Sequence, residues 1–207
     1  GLELAGVITD VGEGVESLAV GDSVFGLGQA TFASHSVADA RVMTKLPDGM
    51  SFEEGATIPL AFLTAWYALH DLGSLQPGER ILIHAATGGV GMAAVQLARV
   101  HGAEIFGTAS PPKWKTLRAM GLDDAHIASS RTLEFESKFL GQTDKQGVHV
   151  VLNALAREFV DASFNVLGEG GRFLEMGKTD IREPEWVAEH FPHVAYQNFD
   201  LMDAGHD

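Results

Sequence analysis

The reading of the fold turns on Arg80–Gln96, RILIHAATGGVGMAAVQ. A short apolar run comes first, then three glycines in four residues, then an alanine-rich helical pattern. The run reads as a strand and the tail as a helix, so the glycines form the turn between them. Strand, glycine turn and helix make the first βα unit of a dinucleotide-binding sheet. The spacing Ala86-x-Gly88-x-x-Gly91 is the G-x-G-x-x-G fingerprint with alanine in the first place. Ala86 and Gly88 permit a tight turn and let backbone approach a pyrophosphate, while Gly91 lets the helix pack close to the sheet. The helix N-terminus offers free N–H groups and a partial positive charge to the phosphates. Ala86, Gly88, Gly89, Val90 and Gly91 are therefore candidate cofactor-binding residues.

Downstream, strands alternate with helices of about ten residues, the pattern of a doubly wound parallel sheet. Strands are expected at Glu104–Ala109, Ala125–Ala128, Val148–Asn153 and Arg172–Met176. Helices are expected at Lys113–Met120, Leu133–Leu140 and Glu158–Leu167. Upstream the texture differs. AGVIT, SVFG and ATFASHSVA read as short strands between glycine turns. Ser51 and Glu54 form a capping box, and Pro59 interrupts the helical region that follows. Leu60–Leu72 reads as a mostly buried helix. The chain therefore divides into a β-rich part, 1–58, and a Rossmann-type α/β part, 59–207.

The end of the second Rossmann strand selects the cofactor. An NAD site usually places an acid there for the ribose 2′-hydroxyl. This chain reads Thr108-Ala109-Ser110-Pro111-Pro112-Lys113, with no acid. A hydroxyl and a lysine suit a 2′-phosphate, so NADPH is the expected cofactor. Ser110 and Lys113 are the candidate ligands, with Arg131 as a second cation.

Composition removes several function classes. The 207 residues carry a formal net charge of −14 and no cysteine. Such a charge repels phosphate backbones, so nucleic acid is not an expected partner. Without cysteine there are no disulfides, no thiolate catalysis and no Cys-ligated zinc; a reducing cytoplasm fits. No apolar run of membrane-spanning length occurs, and no membrane association is expected. The opening residues lack signal-peptide character and read as mid-domain sequence. His190-Phe191-Pro192-His193 lacks helical metal-ligand spacing, and no metal site is expected. His84 is given no chemical role.

At this point a family can be named. HAATGGVGMAAVQLA, GTASPPKWKTLRAMGLDDAHIASSRT, VVLNALA and GGRFLEMGKTDI resemble the enoyl reductase domains of modular type I polyketide synthases. These are zinc-free members of the medium-chain dehydrogenase/reductase superfamily. AGVITDVGEGVESLAVGDSVFGL is similar to the closing part of that family's GroES-like substrate domain. By this likeness the chain ends before the family's last sheet strands. The resemblance implies reduction of a trans-2-enoyl thioester by NADPH, the substrate carried on the phosphopantetheine of an acyl carrier protein. Further synthase domains would belong to the same polypeptide.

Lys178 follows the RFLEM strand, at a strand end where a doubly wound sheet binds ligands. It matches the family's GK-D lysine, which implies a role in proton donation or enolate stabilisation. Asp200, in Asn198-Phe199-Asp200-Leu201, matches the family's FDL aspartate, and an Asp–Lys pair would fix the lysine's position and charge. Thr64 is a candidate for the nicotinamide carboxamide. Asn153 and the residues after it are candidates to line the nicotinamide pocket. Ala154 and Arg157 stand where the family usually has Ser and Gly, which leaves a backbone role there. A free-standing NADPH:quinone oxidoreductase of the same superfamily is the alternative reading, and it has no need of the Lys178/Asp200 pair.

Overall fold

The computed structural model describes residues 1–204. The chain forms two compact units, Gly1–Leu63 and a second from Thr64 onward.

In the first unit, β1 (Glu3–Val7), β2 (Ser23–Leu27) and β3 (Met43–Lys45) form an antiparallel sheet in that order. ATFASHSVA, expected as a strand, has no regular structure. Its apolar residues face no partner sheet: Phe32 and Val37 are each 96% exposed. The short helix α1 (Phe52–Gly55) starts at the expected capping box, where Ser51 accepts the Glu54 N–H and Glu54 accepts the Ser51 N–H. Pro59 does not interrupt a helix. It opens α2 (Pro59–Trp66), a position where its missing N–H costs nothing. The Glu3 carboxylate accepts the next N–H, that of Leu60, at 2.8 Å.

The expected helix through Leu72 changes winding at Tyr67. Tyr67–Leu72 forms a π-helical turn, closed by the Gly73 N–H donating to the Ala68 carbonyl at 2.7 Å. An unbroken apolar run suits either winding, so sequence does not distinguish them. Arg172 holds the end of this turn, donating to the Gly73 carbonyl at 2.7 Å and to Glu79 at 2.5 Å.

Among the described residues the second unit has six strands: β4 (Arg80–Ile83), β5 (Glu104–Ala109), β6 (Ile127–Ser129), β7 (Val148–Asn153), β8 (Leu167–Glu175) and β9 (Val194–Asn198). Their order across the sheet is β6-β5-β4-β7-β8-β9, and every neighbouring pair is parallel. The crossovers carry α3 (Gly89–Val100), α4 (Trp114–Ala119), α5 (Glu134–Gln142), α6 (Glu158–Asn165) and α7 (Pro184–His190). This is the expected doubly wound Rossmann sheet. Strands β4 and β7 are buried almost throughout, as a central pair must be when helices cover both faces. The five fully buried phenylalanines Phe106, Phe135, Phe139, Phe164 and Phe173 pack in one core, each stabilising the fold by about 1.5–3 kcal/mol.

Two differences from the sequence expectation have physical causes. Strand β8 begins at Leu167 instead of Arg172, because Gly168, Gly170 and Gly171 lie within the strand and do not punctuate its end. The β7–β8 register shifts between Val148 and Val150 beside them, as glycine allows. Helix α7 and strand β9, a sixth strand, have no counterpart in the sequence reading. The α7 sequence opens on Pro184 at N1, a usable signal.

Candidate functional site

In a parallel sheet every strand ends on the same edge, and the connections after those ends converge there. This edge receives Ala86–Gly91 after β4, Ser110 and Lys113 after β5, and Arg131 after β6. Asn153 closes β7, Lys178 follows β8 and Asp200 follows β9. Thr64 is the exception: it is half-buried on α2 and not at a strand end.

The glycine turn is a steric device. Its left-handed residue is Ala85, at φ +48°, whereas Gly88 has an ordinary extended conformation. Gly91 is the residue that sterics demand. A Cβ there would overlap the Ala85 carbonyl oxygen and sit 2.7 Å from the Ala86 Cα. Ala86 is fully buried, and its N–H donates to the Thr108 carbonyl at 2.9 Å, tying the turn to β5. Gly88 is then the N-cap of helix α3, which has no side-chain cap. Its first N–H groups are left for a ligand or water.

Below this turn His84 is fully buried. Its Nδ1 lies 2.8 Å from the Thr108 hydroxyl and its Nε2 2.8 Å from the Ser163 hydroxyl. Ser163 donates its own proton to the Phe159 carbonyl at 2.6 Å. It must therefore accept from His84, which fixes the proton on Nε2 and makes Nδ1 the acceptor from Thr108. Burial drives the imidazole pKa down to about 3, so the ring is neutral. It packs at a strand end, edge-on to Phe135 with ring centroids 5.0 Å apart.

At the β5 end, Ser110 precedes and Lys113 ends a single 3₁₀ turn opened by Pro111. Trp114 donates its indole N–H to the Ala109 carbonyl at 3.0 Å and anchors that turn. Lys113 and Arg131 are exposed, and neither side chain has an ion-pair partner among the described residues.

Across the edge, the Lys178 ammonium donates to Asp200 Oδ2 at 2.9 Å and to the Phe199 carbonyl at 3.2 Å. The lysine side chain is 57% exposed and the aspartate 42%. The hydrogen bond from Lys178 holds the Asp200 carboxyl below the usual carboxylate range, helped by the Met202 N–H. The Asn153 side chain is fully buried and committed to protein. It donates to the Leu155 carbonyl at 2.9 Å and to Glu175 Oε2 at 2.6 Å, and it accepts the Leu155 N–H at 3.1 Å. Only backbone is left there to face a ligand. Sequence reading missed Glu175, whose available signal was an acid closing an otherwise apolar strand.

The profile of the family described as zinc-binding dehydrogenase matches residues 89–202, more than half of the chain. The chain belongs to the zinc-binding dehydrogenase family. The chain has no cysteine, and among the described residues there is no group of three or more His, Asp or Glu side chains that could hold a metal. Among curated relatives, the chain is 60% identical over 205 residues to the pikromycin polyketide synthase component PikAII of Streptomyces venezuelae. That match covers 99% of the chain and 6% of the synthase. Its fold matches the crystal structure of the CurK enoyl reductase at 49% identity and TM-score 0.95, over all of this chain and 62% of that one. It also matches a mycobacterial protein solved in complex with NADPH, at 26% identity and TM-score 0.86, over 98% of this chain and 64% of that one. The chain thus spans less than two thirds of each of these three relatives. No helix among the described residues is long and apolar enough to cross a membrane.

Proposed function

We propose that the chain is the cofactor-binding part of an NADPH-dependent enoyl-thioester reductase within a polyketide synthase, acting in a reducing cytoplasm. Residues 1–58 are the closing part of its GroES-like substrate domain and residues 59–207 its NADP-binding domain. The enoyl chain comes on the phosphopantetheine arm of an acyl carrier protein, with other synthase domains in the same polypeptide. One observation carries this reading: a lysine held by an aspartate at 2.9 Å, on the sheet edge that also bears the glycine turn.

The residues present fit NADPH. The uncapped start of α3, from Gly88 through Gly89, Val90 and Gly91, suits a pyrophosphate, and Ala86 keeps the turn tight. Ser110, Lys113 and Arg131 suit a 2′-phosphate, with two cations free of carboxylates in a chain of net charge −14. Thr64 and the backbone after Asn153 are assigned to the nicotinamide end. When bound, this cofactor supplies the hydride that the β-carbon accepts.

The chain's own part is charge and proton management. Reduction at the β-carbon places negative charge on the thioester oxygen. The Lys178 ammonium, oriented by Asp200, offsets that charge and delivers a proton to the α-carbon. Hydride plus proton balance the saturation of the double bond.

The test follows NADPH oxidation by the full-length protein with a trans-2-enoyl pantetheine thioester and, separately, with a simple quinone. Lys178→Ala is expected to lower thioester turnover on the order of 100-fold and leave stability unchanged. Turnover of the quinone alone would identify a quinone reductase on the same fold.

A further inference from the structure

Lys178 and Asp200 sit on connections with little buried surface of their own, yet the pair is fixed in one geometry. What fixes it lies one layer below. Glu175, the last residue of β8, is only 1% exposed. Its Oε1 accepts the Gly177 N–H at 2.6 Å, and its Oε2 accepts the Asn153 amide at 2.6 Å. Its main-chain carbonyl accepts the Phe199 N–H at 3.0 Å. Phe199 is the residue whose own carbonyl receives Lys178, and Asp200 follows it. Glu175 thus holds the turn that carries the lysine with its carboxylate, and the segment that carries the aspartate with its backbone. Asn153 closes the frame by accepting the Met176 N–H at 3.1 Å through its main-chain carbonyl.

The chemistry of this contact is one-sided. Both groups aimed at the carboxylate are donors. The Asn153 amide cannot turn over, because its oxygen already accepts the Leu155 N–H. A carboxylate satisfies both donors; an amide satisfies one and sets its own N–H₂ against the other. Gly177 is the matching void: a Cβ there would lie 2.7 Å from Glu175 Oε1.

We propose that Glu175 is a positioning residue for the Lys178–Asp200 pair, acting through the Gly177 turn and the β9 end. This rests on the assignment of Lys178 made above. Glu175 touches no substrate; it sets where the lysine nitrogen stands relative to the reacting carbon.

The test is a kinetic cycle on the full-length protein with NADPH and a trans-2-enoyl pantetheine thioester. It compares wild type, Glu175→Gln, Lys178→Ala and the double variant. Glu175→Gln is expected to lower kcat about 10- to 100-fold, with KM and the NADPH dissociation constant unchanged. In the Lys178→Ala background the same change is expected to cost almost nothing, since no lysine remains to position. Gly177→Ala displaces the carboxylate without altering any charge and is expected to repeat both results, which keeps the test usable if Glu175→Gln does not fold. An equal loss in both backgrounds, or a wild-type kcat in Glu175→Gln, overturns the positioning role and leaves the assignment of Lys178 standing. Wild-type thioester turnover in Lys178→Ala overturns that assignment, and the positioning role with it.

Discussion

The two halves of the candidate site are built by different physics. On the β4 side, the turn around Ala86–Gly91 is shaped by exclusion: a Cβ at Gly91 would overlap backbone, and no side chain caps α3. On the β8 side, the loop around Lys178 is shaped by hydrogen bonds between residues brought together from Asn153, Glu175, Gly177 and Phe199. The first arrangement is written in consecutive residues. The second exists only once β7, β8 and β9 have paired. Sites made by steric exclusion are readable from a short stretch, whereas sites made by directional bonds need the register of the sheet.

The difference can be probed from its deepest point outward. His84 lies beneath the glycine turn with its folded pKa depressed to about 3 from 6.5. A depressed basic group contributes stability that is present above the unfolded pKa and is lost as pH falls toward the folded one. Between about pH 6.5 and 3 the wild type should therefore lose about 1.4 kcal/mol per pH unit through this residue. Denaturant titrations across that window should show the wild type losing stability more steeply than His84→Gln, by about 1.4 kcal/mol per pH unit.

Gly91→Ala comes next. It places a methyl against main chain that cannot rotate away, and should cost about 3 kcal/mol of unfolding free energy together with NADPH binding; calorimetry and equilibrium unfolding measure both. If Gly91→Ala binds NADPH normally, the steric account of this half fails.

Lys113→Ala should weaken NADPH about tenfold and leave NADH unchanged, as fluorescence titration would show. An equal loss for both cofactors would move Lys113 away from the 2′-phosphate.

The smallest effect is expected far from the ligand edge. His126 bridges Asp123 at 2.7 Å and Glu104 at 3.0 Å. Partial burial works against its proton, but the hydrogen bonds to the two carboxylates outweigh it and the pKa is raised. A raised histidine contributes stability that is complete below its unfolded pKa and is lost as pH rises through the folded one. His126→Gln should remove that dependence above about pH 6.5, worth less than about 1 kcal/mol for a pair this exposed.

The same contrast explains what sequence made legible. The capping box at Ser51, the strand at Val148–Asn153 and the glycine crossover are short-range patterns, and all appear where expected. The Lys178–Asp200 contact was reached through resemblance, since 21 intervening residues separate its partners in the chain. The backbone role read for Asn153 and the residues after it needs no partner, whereas nothing local shows that Glu175 claims the Asn153 amide. Ala85, not a glycine, takes the left-handed position in the turn, since tertiary packing overrides a penalty that local preference would avoid. The stretch around Phe32 has strand composition without a partner to pair with, and composition alone does not supply one.

Asp200 divides its two oxygens between unlike tasks. Oδ2 holds the Lys178 ammonium at 2.9 Å, and Oδ1 accepts the Met202 N–H at 3.0 Å. The two oxygens belong to one rigid plane, so a pull on the backbone at Met202 rotates the plane and shifts the lysine's anchor. The carboxylate works as a lever, with the path of the chain beyond Phe199 at one arm and the proton-bearing nitrogen at the other. A shift of the backbone at Met202 therefore reaches the lysine through the Asp200 carboxylate, beside the direct bond from Lys178 to the Phe199 carbonyl.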